Sequence, residues 1–334
     1  MRIGEKVSLP QPVSSSPAKA KPASTPPAKA ADSFSSASVA KAGSAAAPDA
    51  NNVNVVTFNV AGGASAFKLE DKLTDAPLFQ KLINGDPDAP IVACQETTPA
   101  LAKKLIEASK NGNFQVIYPG QPNLPKWIPT STLMQGNMLL VPKRYQVEHA
   151  ESHTFAGRGA KFLNALDGFL FHHEKANDML LALQNRGYVE ASLKDTRTGK
   201  DFNVLATHVA YADDIRRDET PQLVDAIAKA QASGPTVVMG DFNTPTLQAK
   251  PNANAGVIDF WKAMEPLALQ DMGPTGKDRG SFWKNGQDID SVLATGFQSV
   301  SSEMLSGDKM TLPGHPDAKQ VSDHYAEADT LKFD

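Results

Sequence analysis

A chain of 334 residues with 33 basic and 37 acidic side chains, net charge −4, carries no electrostatic demand for a nucleic-acid backbone, although a few well-placed arginines can still meet a phosphate. Its single cysteine, Cys94, excludes intrachain disulfides and with them a disulfide-stapled secreted scaffold, so stability has to come from a core, in one large domain or two ordinary ones. No apolar run is long enough to span a bilayer and no Sec-type leader follows Met1, so a soluble chain is expected.

Residues 1–52 are Ala, Ser, Pro and Lys with Phe34 as their one aromatic. That composition is too poor in apolar bulk to offset the entropy of ordering, and a disordered tail is expected. Six basic and three acidic side chains in the tail leave residues 53–334 with 27 basic and 34 acidic, a net of −7. The tail reads either as a flexible linker or solubilising leader, or as an export address, since its composition resembles the unstructured signals of bacterial type III effectors. The corresponding locations are the bacterial cytoplasm or export through a type III system.

From Val53 strand and helix patterns alternate. Val53–Asn59 is an apolar strand that ends on Asn59 and runs into a tight turn at Ala61–Gly63. Apolar residues from Leu69 to Ile83 recur at near-helical spacing, with Pro77 breaking or restarting the helix. Pro90–Glu96 is a second buried strand, with Cys94 as a small hydrophobe inside it and Glu96 at its end. Thr98 is placed to cap, and Pro99 to open, a helix over 100–110 whose inner side is Leu101, Leu105 and Ile106. Phe114–Tyr118 and Gly136–Pro142 follow as strands around a Pro-rich loop.

Residues 149–186, which include His149, His153, His172 and His173, read as a solvated loop. His149 and His153 are spaced i, i+4, but the glutamate of His-Ala-Glu-Ser-His is misplaced for the metalloprotease motif, which argues against zinc. Gly187–Leu193 and Phe202–His208 are hairpin strands around a turn at Asp195–Gly199. Asp213–Ala232 is a helix whose main part starts at Pro221; its apolar stripe is Ile215, Leu223, Val224, Ile227 and Ala228, with Arg216, Arg217 and Gln222 on other faces. Val257–Met264 reads as a helix, Gln287–Ala294 as a strand carrying Asp290, and Val321–Leu331 as a closing strand entered through Asp323 and His324.

The stretch Gly234–Asn243 organises the rest, because its apolar run stops on a carboxylate with an amide two residues later. Gly240 lets the backbone turn or approach a ligand closely, and side-chain alternation lets Asp241 and Asn243 face the same way. Singly, Asn59, Glu96, His208, Asp241, Asn243, Asp290, Asp323 and His324 each have an ordinary structural explanation. Together they gather at strand ends, where α/β architectures build clefts. Carboxylates Glu96 and Asp323 suit a hard, oxygen-seeking cation such as Mg²⁺ better than zinc. Two histidines, one beside a carboxylate, suit a phosphoester whose attacking and leaving oxygens need protons moved.

The ordered motifs Thr57–Asn59, Gln95–Glu96, Gly136–Asn137, Thr207–His208, Gly240–Asn243, Asp288–Asp290 and Ser322–His324 resemble the endonuclease/exonuclease/phosphatase superfamily typified by DNase I, from about residue 53 to the end. The resemblance implies an α+β fold, a four-layer α/β/β/α sandwich of two packed mixed sheets with the site at one edge. It also implies a Mg²⁺-dependent phosphoric ester hydrolase, with Mn²⁺ as the alternative ion. Glu96 is then the principal metal ligand, with Asn59 and Asp323 beside it. His208 binds phosphate and protonates the leaving oxygen, Asp241 and Asn243 position water and a phosphate oxygen, and His324 contacts the scissile phosphate or helps activate water, with its tautomer fixed by Asp290.

Substrate is not decided by these motifs, since the superfamily cuts DNA, RNA, inositol phosphates and sphingomyelin with one core. Asp-Ile-Asp-Ser lacks the Cys-Asp-Arg pattern of inositol 5-phosphatases, and no basic patch interleaved with aromatics marks a tight duplex binder. A monomeric, nuclease-like phosphodiesterase ranks first and a phosphomonoesterase or phospholipase C-like enzyme second. A catalytically silent binding module ranks third.

Overall fold

Runs of β-branched and apolar residues three to ten long, punctuated by Gly, Pro and Asn, build strands that bury one or both faces. The computed structural model describes residues 49–60, 70–118, 136–156, 186–245, 255–274, 280–282, 287–305 and 322–334. The expected tail up to residue 48, the turn at 61–63 and the His172–His173 pair lie outside the described residues.

The chain opens with β1 (Asn52–Asn59), a 3-10 turn over Glu70–Asp75, α1 (Pro77–Asn84), β2 (Ile91–Thr97), α2 (Pro99–Ser109), β3 (Phe114–Ile117) and β4 (Gly136–Pro142). It continues with β5 (Tyr145–Thr154), β6 (Gly187–Asp195), β7 (Asp201–His208), α3 (Asp213–Gln231), β8 (Thr236–Asp241) and α4 (Ala255–Met264). It closes with β9 (Gln270–Asp271), β10 (Asp290–Thr295), β11 (Phe297–Leu305) and β12 (Ala326–Phe333).

Two six-stranded mixed sheets result, ordered β11-β12-β1-β2-β4-β3 and β5-β6-β7-β8-β10-β9. Each has one central parallel pair, β1 with β2 and β7 with β8, bridged through α1 and α3 respectively; the other pairings are antiparallel. Val53, Ile91, Leu139, Val189, Val204, Val237, Val292 and Leu331 lie in the apolar layer between the sheets. Outside the first sheet, Leu78, Phe79 and Leu82 of α1 and Leu101 and Leu105 of α2 pack on Val56, Phe58 and Val92. Outside the second, Leu223 and Ile227 of α3 and Phe260 of α4 pack on Leu205, Val238 and Phe242. The architecture is therefore the four-layer α/β/β/α sandwich, with three apolar layers holding it together. At roughly 1.5–3 kcal/mol for each fully buried large apolar side chain, those layers far outweigh any surface ion pair.

Local signals fell where the physics placed them at the first two helices. Pro77 and Pro99 occupy first-turn positions, and Thr98 accepts the Leu101 N–H at 3.3 Å as N-cap. Four expectations are corrected. Ile106 is exposed and Ala102 takes the inner position of α2. Residues 149–154 are not loop but part of the edge strand β5. α3 runs unbroken through Pro221, whose ring is on the exposed face together with the i−4 residue Arg217. Finally, Gly240 makes room for protein and not for a ligand: a Cβ there would lie 2.2 Å from the Thr207 carbonyl oxygen on the neighbouring parallel strand.

Candidate active site

Strand directions bring the polar exits together. β7 and β8 run parallel, so His208 registers with Asp241, and antiparallel β10 begins opposite them with Asp290 against Asp241. In the facing sheet β1 and β2 are parallel, with Asn59 against Gln95 and Glu96 next along β2. β12 runs back along β1, which delivers Ser322–His324 to the end of β1; Ser322 Oγ donates to the Asn59 carbonyl at 2.6 Å. One edge of the sandwich thus collects residues from both sheets.

Asp241 is the junction. It is buried, and its Oδ2 accepts from Asn59 Nδ2 at 2.9 Å across the gap between sheets. The same oxygen lies 3.3 Å from His208 Nε2 and 3.9 Å from His324 Nε2. Its Oδ1 accepts the Asn243 N–H at 2.8 Å. Asn243 adopts a left-handed φ of 49°, a conformation asparagine tolerates better than most residues, and that turn aims its amide at Val209 O (2.9 Å) and His208 Nε2 (3.1 Å). His208 Nε2 thus stands between the Asn243 amide and the Asp241 carboxylate.

His324 is held from three sides. Its Nδ1 is 2.6 Å from Asp290 Oδ2, its backbone N–H donates to Ser322 Oγ at 3.0 Å, and its ring packs against Phe282 with centroids 5.1 Å apart. Asp290 is fixed in turn, its N–H donating to Ser281 Oγ at 2.9 Å. Burial disfavours a charged imidazole, yet the adjoining carboxylates of Asp290, Asp241 and Asp323 raise His324 to about 10. Burial, with the Asp290 carboxylate alongside, pushes Asp241 up to about 7 against the opposing pull of His324, Asn59 and Arg186. Asp241, Asp290 and His324 each place one ligand-type atom within 4.8 Å of the others. An imidazolium between two carboxylates is a paired buried charge, which fits this closeness.

Glu96 stands apart from that network. It sits in a bulge of β2, where register with β4 slips between Cys94 and Thr97, at φ 54°. A non-glycine residue held in the left-handed region costs on the order of 1–3 kcal/mol and persists where surrounding structure over-determines it, commonly at a functional position. Its side chain is half-buried. Asp323, also partly exposed, has its Oδ1 3.9 Å from His324 Nε2. These are hard oxygen donors on β2 and just ahead of β12, the strands that flank β1, neither carboxylate sunk in the core, and of the kind a divalent cation of the Mg²⁺ class takes.

Further polar residues brace the site. Asn137, within the Gly136–Asn137 motif, donates to the Gly187 carbonyl at 2.7 Å and ties β4 to β6. Arg186 is buried and bears electrostatically on Asp241. Arg216, expected on an outer face, is buried: it donates to the Ala210 and Tyr211 carbonyls and pairs with Asp213, while Glu219 accepts the Ala210 N–H at 2.7 Å. These two charged residues of α3 pin the loop that follows His208. Their spacing, i and i+3 beside apolar Leu223, was the available signal, although charge normally argues for exposure.

Two mixed sheets between helical layers, with a buried His/Asp/Asn network at one edge, define the DNase I-like fold. The chain is similar to an endonuclease/exonuclease/phosphatase from Bacteroides vulgatus, at 18% identity over 85% of this chain and 99% of that one, TM-score 0.58. It is similar also to the human Nocturnin catalytic domain with bound sulfate (15% identity, 85% and 95% covered, TM-score 0.58). A third likeness is to D. rerio TDP2 complexed with a single-strand DNA product (14% identity, 84% and 99% covered, TM-score 0.56). At these identities the likeness is one of fold. The sequence matches no family model and no curated protein.

Proposed function

We propose that this protein is a divalent-metal-dependent phosphodiesterase of nuclease-like type, hydrolysing its ester by in-line attack of water. The observation that carries the reading is the single connected network in which Asp241 meets Asn59, His208, Asn243 and His324 at the edge between the sheets. Asp241, pushed up to about 7, is basic enough at neutral pH to orient and deprotonate an attacking water. Asn243 fixes His208, which binds a phosphate oxygen and protonates the leaving oxygen. His324, cationic through Asp290, neutralises charge growing on the phosphoryl oxygens. Glu96, with Asn59 and Asp323, holds the cation, which supplies Lewis-acid charge to the ester when bound. Support for the substrate class comes from proteins of the same fold, one bound to sulfate and one to a DNA product.

The test is a panel of plasmid DNA, RNA, phosphoinositides and sphingomyelin with Mg²⁺, Mn²⁺ or EDTA. Cleavage of a nucleic acid that EDTA abolishes and Glu96→Gln cuts by about two to four orders of magnitude is expected. Undiminished turnover in EDTA sinks the metal assignment. Cleavage confined to the lipids moves the substrate class to phospholipase.

A further inference from the structure

A second cluster of ligand-type side chains lies away from the active-site edge, on the outer face of the edge strand β5 and its neighbour β6. We infer that His149, Glu151, His153 and Glu190 form a binding site for a zinc-class divalent cation. His149, Glu151 and His153 are i, i+2 and i+4 on one strand, so all three project from the same face. Glu190 stands directly across from Glu151 on β6. Like charges so paired between adjacent strands destabilise a sheet unless a positive group comes between them.

The side chains converge accordingly. Glu151 reaches His149 Nε2 with one oxygen and His153 Nε2 with the other, both at 3.3 Å, and Glu190 Oε1 lies 3.4 Å from His153 Nε2. Zinc bonds to nitrogen and oxygen of about 2.0–2.1 Å make the edge of a coordination tetrahedron roughly 3.3–3.4 Å long, and each of these three separations matches one such edge, with Glu151 giving a separate oxygen to each imidazole. His149, Glu151 and Glu190 offer one ligand atom each within 4.8 Å of one another. A second observation is the state of His153: its Nε2 is shielded from solvent, points at the carboxylates and makes no hydrogen bond of sound geometry. Its ring is meanwhile held in a stack on Tyr188, 4.7 Å between centroids and 23° between planes. Two imidazoles with two carboxylates match zinc, whereas Mg²⁺ seeks oxygen alone.

The metalloprotease motif, which this spacing does not match, needs a helix. On a strand the same His-x-Glu-x-His spacing puts all three on one side. An ion there would staple the outermost strand of the second sheet to β6 and cover an edge that otherwise invites pairing with other chains. The site takes no part in the proposed hydrolysis.

The test uses tag-free full-length protein carrying Glu96→Gln, stripped with EDTA and dialysed, titrated with Zn²⁺ by calorimetry. One high-affinity Zn²⁺ per chain is expected, weakened at least about tenfold by His149→Ala or His153→Ala and retained in excess Mg²⁺. Co²⁺ should give the visible absorption of a four-coordinate nitrogen and oxygen site in the parent and lose it in the double variant. Because His149 and Glu151 are exposed, these variants should fold, which melting in EDTA verifies. Absence of Zn²⁺ uptake, or uptake unchanged in the double variant, overturns the inference.

Discussion

At the residue scale, the arrangement of Asp290, His324 and Asp241 makes a specific demand. Asp290 is fully buried with its Oδ2 2.6 Å from His324 Nδ1, so under the proposed mechanism the two act as a unit. Asp290→Asn and His324→Ala should each lower kcat, and the double variant should be little worse than the poorer single one. Losses that multiply independently would reassign Asp290 to its strand alone. The same pair can be read without catalysis. His324, raised from an ordinary value near 6.5 to about 10, contributes stability that is complete below about pH 6.5 and lost as pH rises through about 10. In Asp290→Asn the first and largest of the opposing carboxylates is gone, and an NMR titration of the ring in the metal-free protein should show its midpoint falling toward the ordinary value.

At the scale of elements, Glu327 joins the sheets beneath the site. It lies on β12, buried, and its Oε1 accepts the Val292 N–H of β10 at 3.0 Å, two residues from Asp290. Burial, with Asp329, Asp288 and Asp271 nearby, holds this carboxyl well above its ordinary 4.5. A carboxyl whose folded value exceeds its unfolded one contributes stability that is full below the unfolded value and fades as pH rises. The melting temperature of the parent should therefore carry a component that falls from about pH 4.5 upward. Glu327→Gln keeps the acceptor for Val292 and removes the proton exchange, so it should flatten that slope and raise Tm at alkaline pH. Equal slopes in thermal melts of the two proteins would show that Glu327 is ionised in the fold.

For the whole molecule, the site and an aromatic clamp lie at opposite ends of the same strand. Phe202 lies near the start of β7 and His208 closes it, roughly 20 Å apart at about 3.3 Å per residue. Phe202 meets Tyr145 of its own sheet and Phe297 and Phe333 of the other edge to face, with centroids 5.6–6.0 Å apart. Phe202→Ala should cost about 3–5 kcal/mol in denaturant unfolding, with kcat of the folded fraction unchanged; a matching loss of kcat would mean that strain passes along β7. Removal of residues 1–48 should move neither Tm nor rate, as their composition offers little apolar surface to dock. A drop of several degrees would reveal docking. Asp49 is better kept, since it accepts from Lys332 at 3.2 Å.

Much of this protein is legible in one dimension. Apolar runs that stop on Asn59, Glu96, His208 and Asp241 mark buried strands and their exits, because a strand with both faces covered can change character only where it leaves the core. Capping at Thr98 and Pro99 is equally local. What the sequence could not contain is pairing. Asn59 and Asp241 are 182 positions apart and meet at 2.9 Å only because two sheets pack face to face. The strand β5, with mixed burial along an edge, has too little apolar alternation to separate it from loop, so its His and Glu cluster had no visible frame. Arg216, Glu219 and Glu327 are buried against the usual preference of charge because tertiary partners compensate them. Periodicity and turn chemistry act between near neighbours and determine elements and their ends; register, burial of charge and the meeting of distant side chains depend on the free energy of the assembled sandwich, which only the tertiary structure decides.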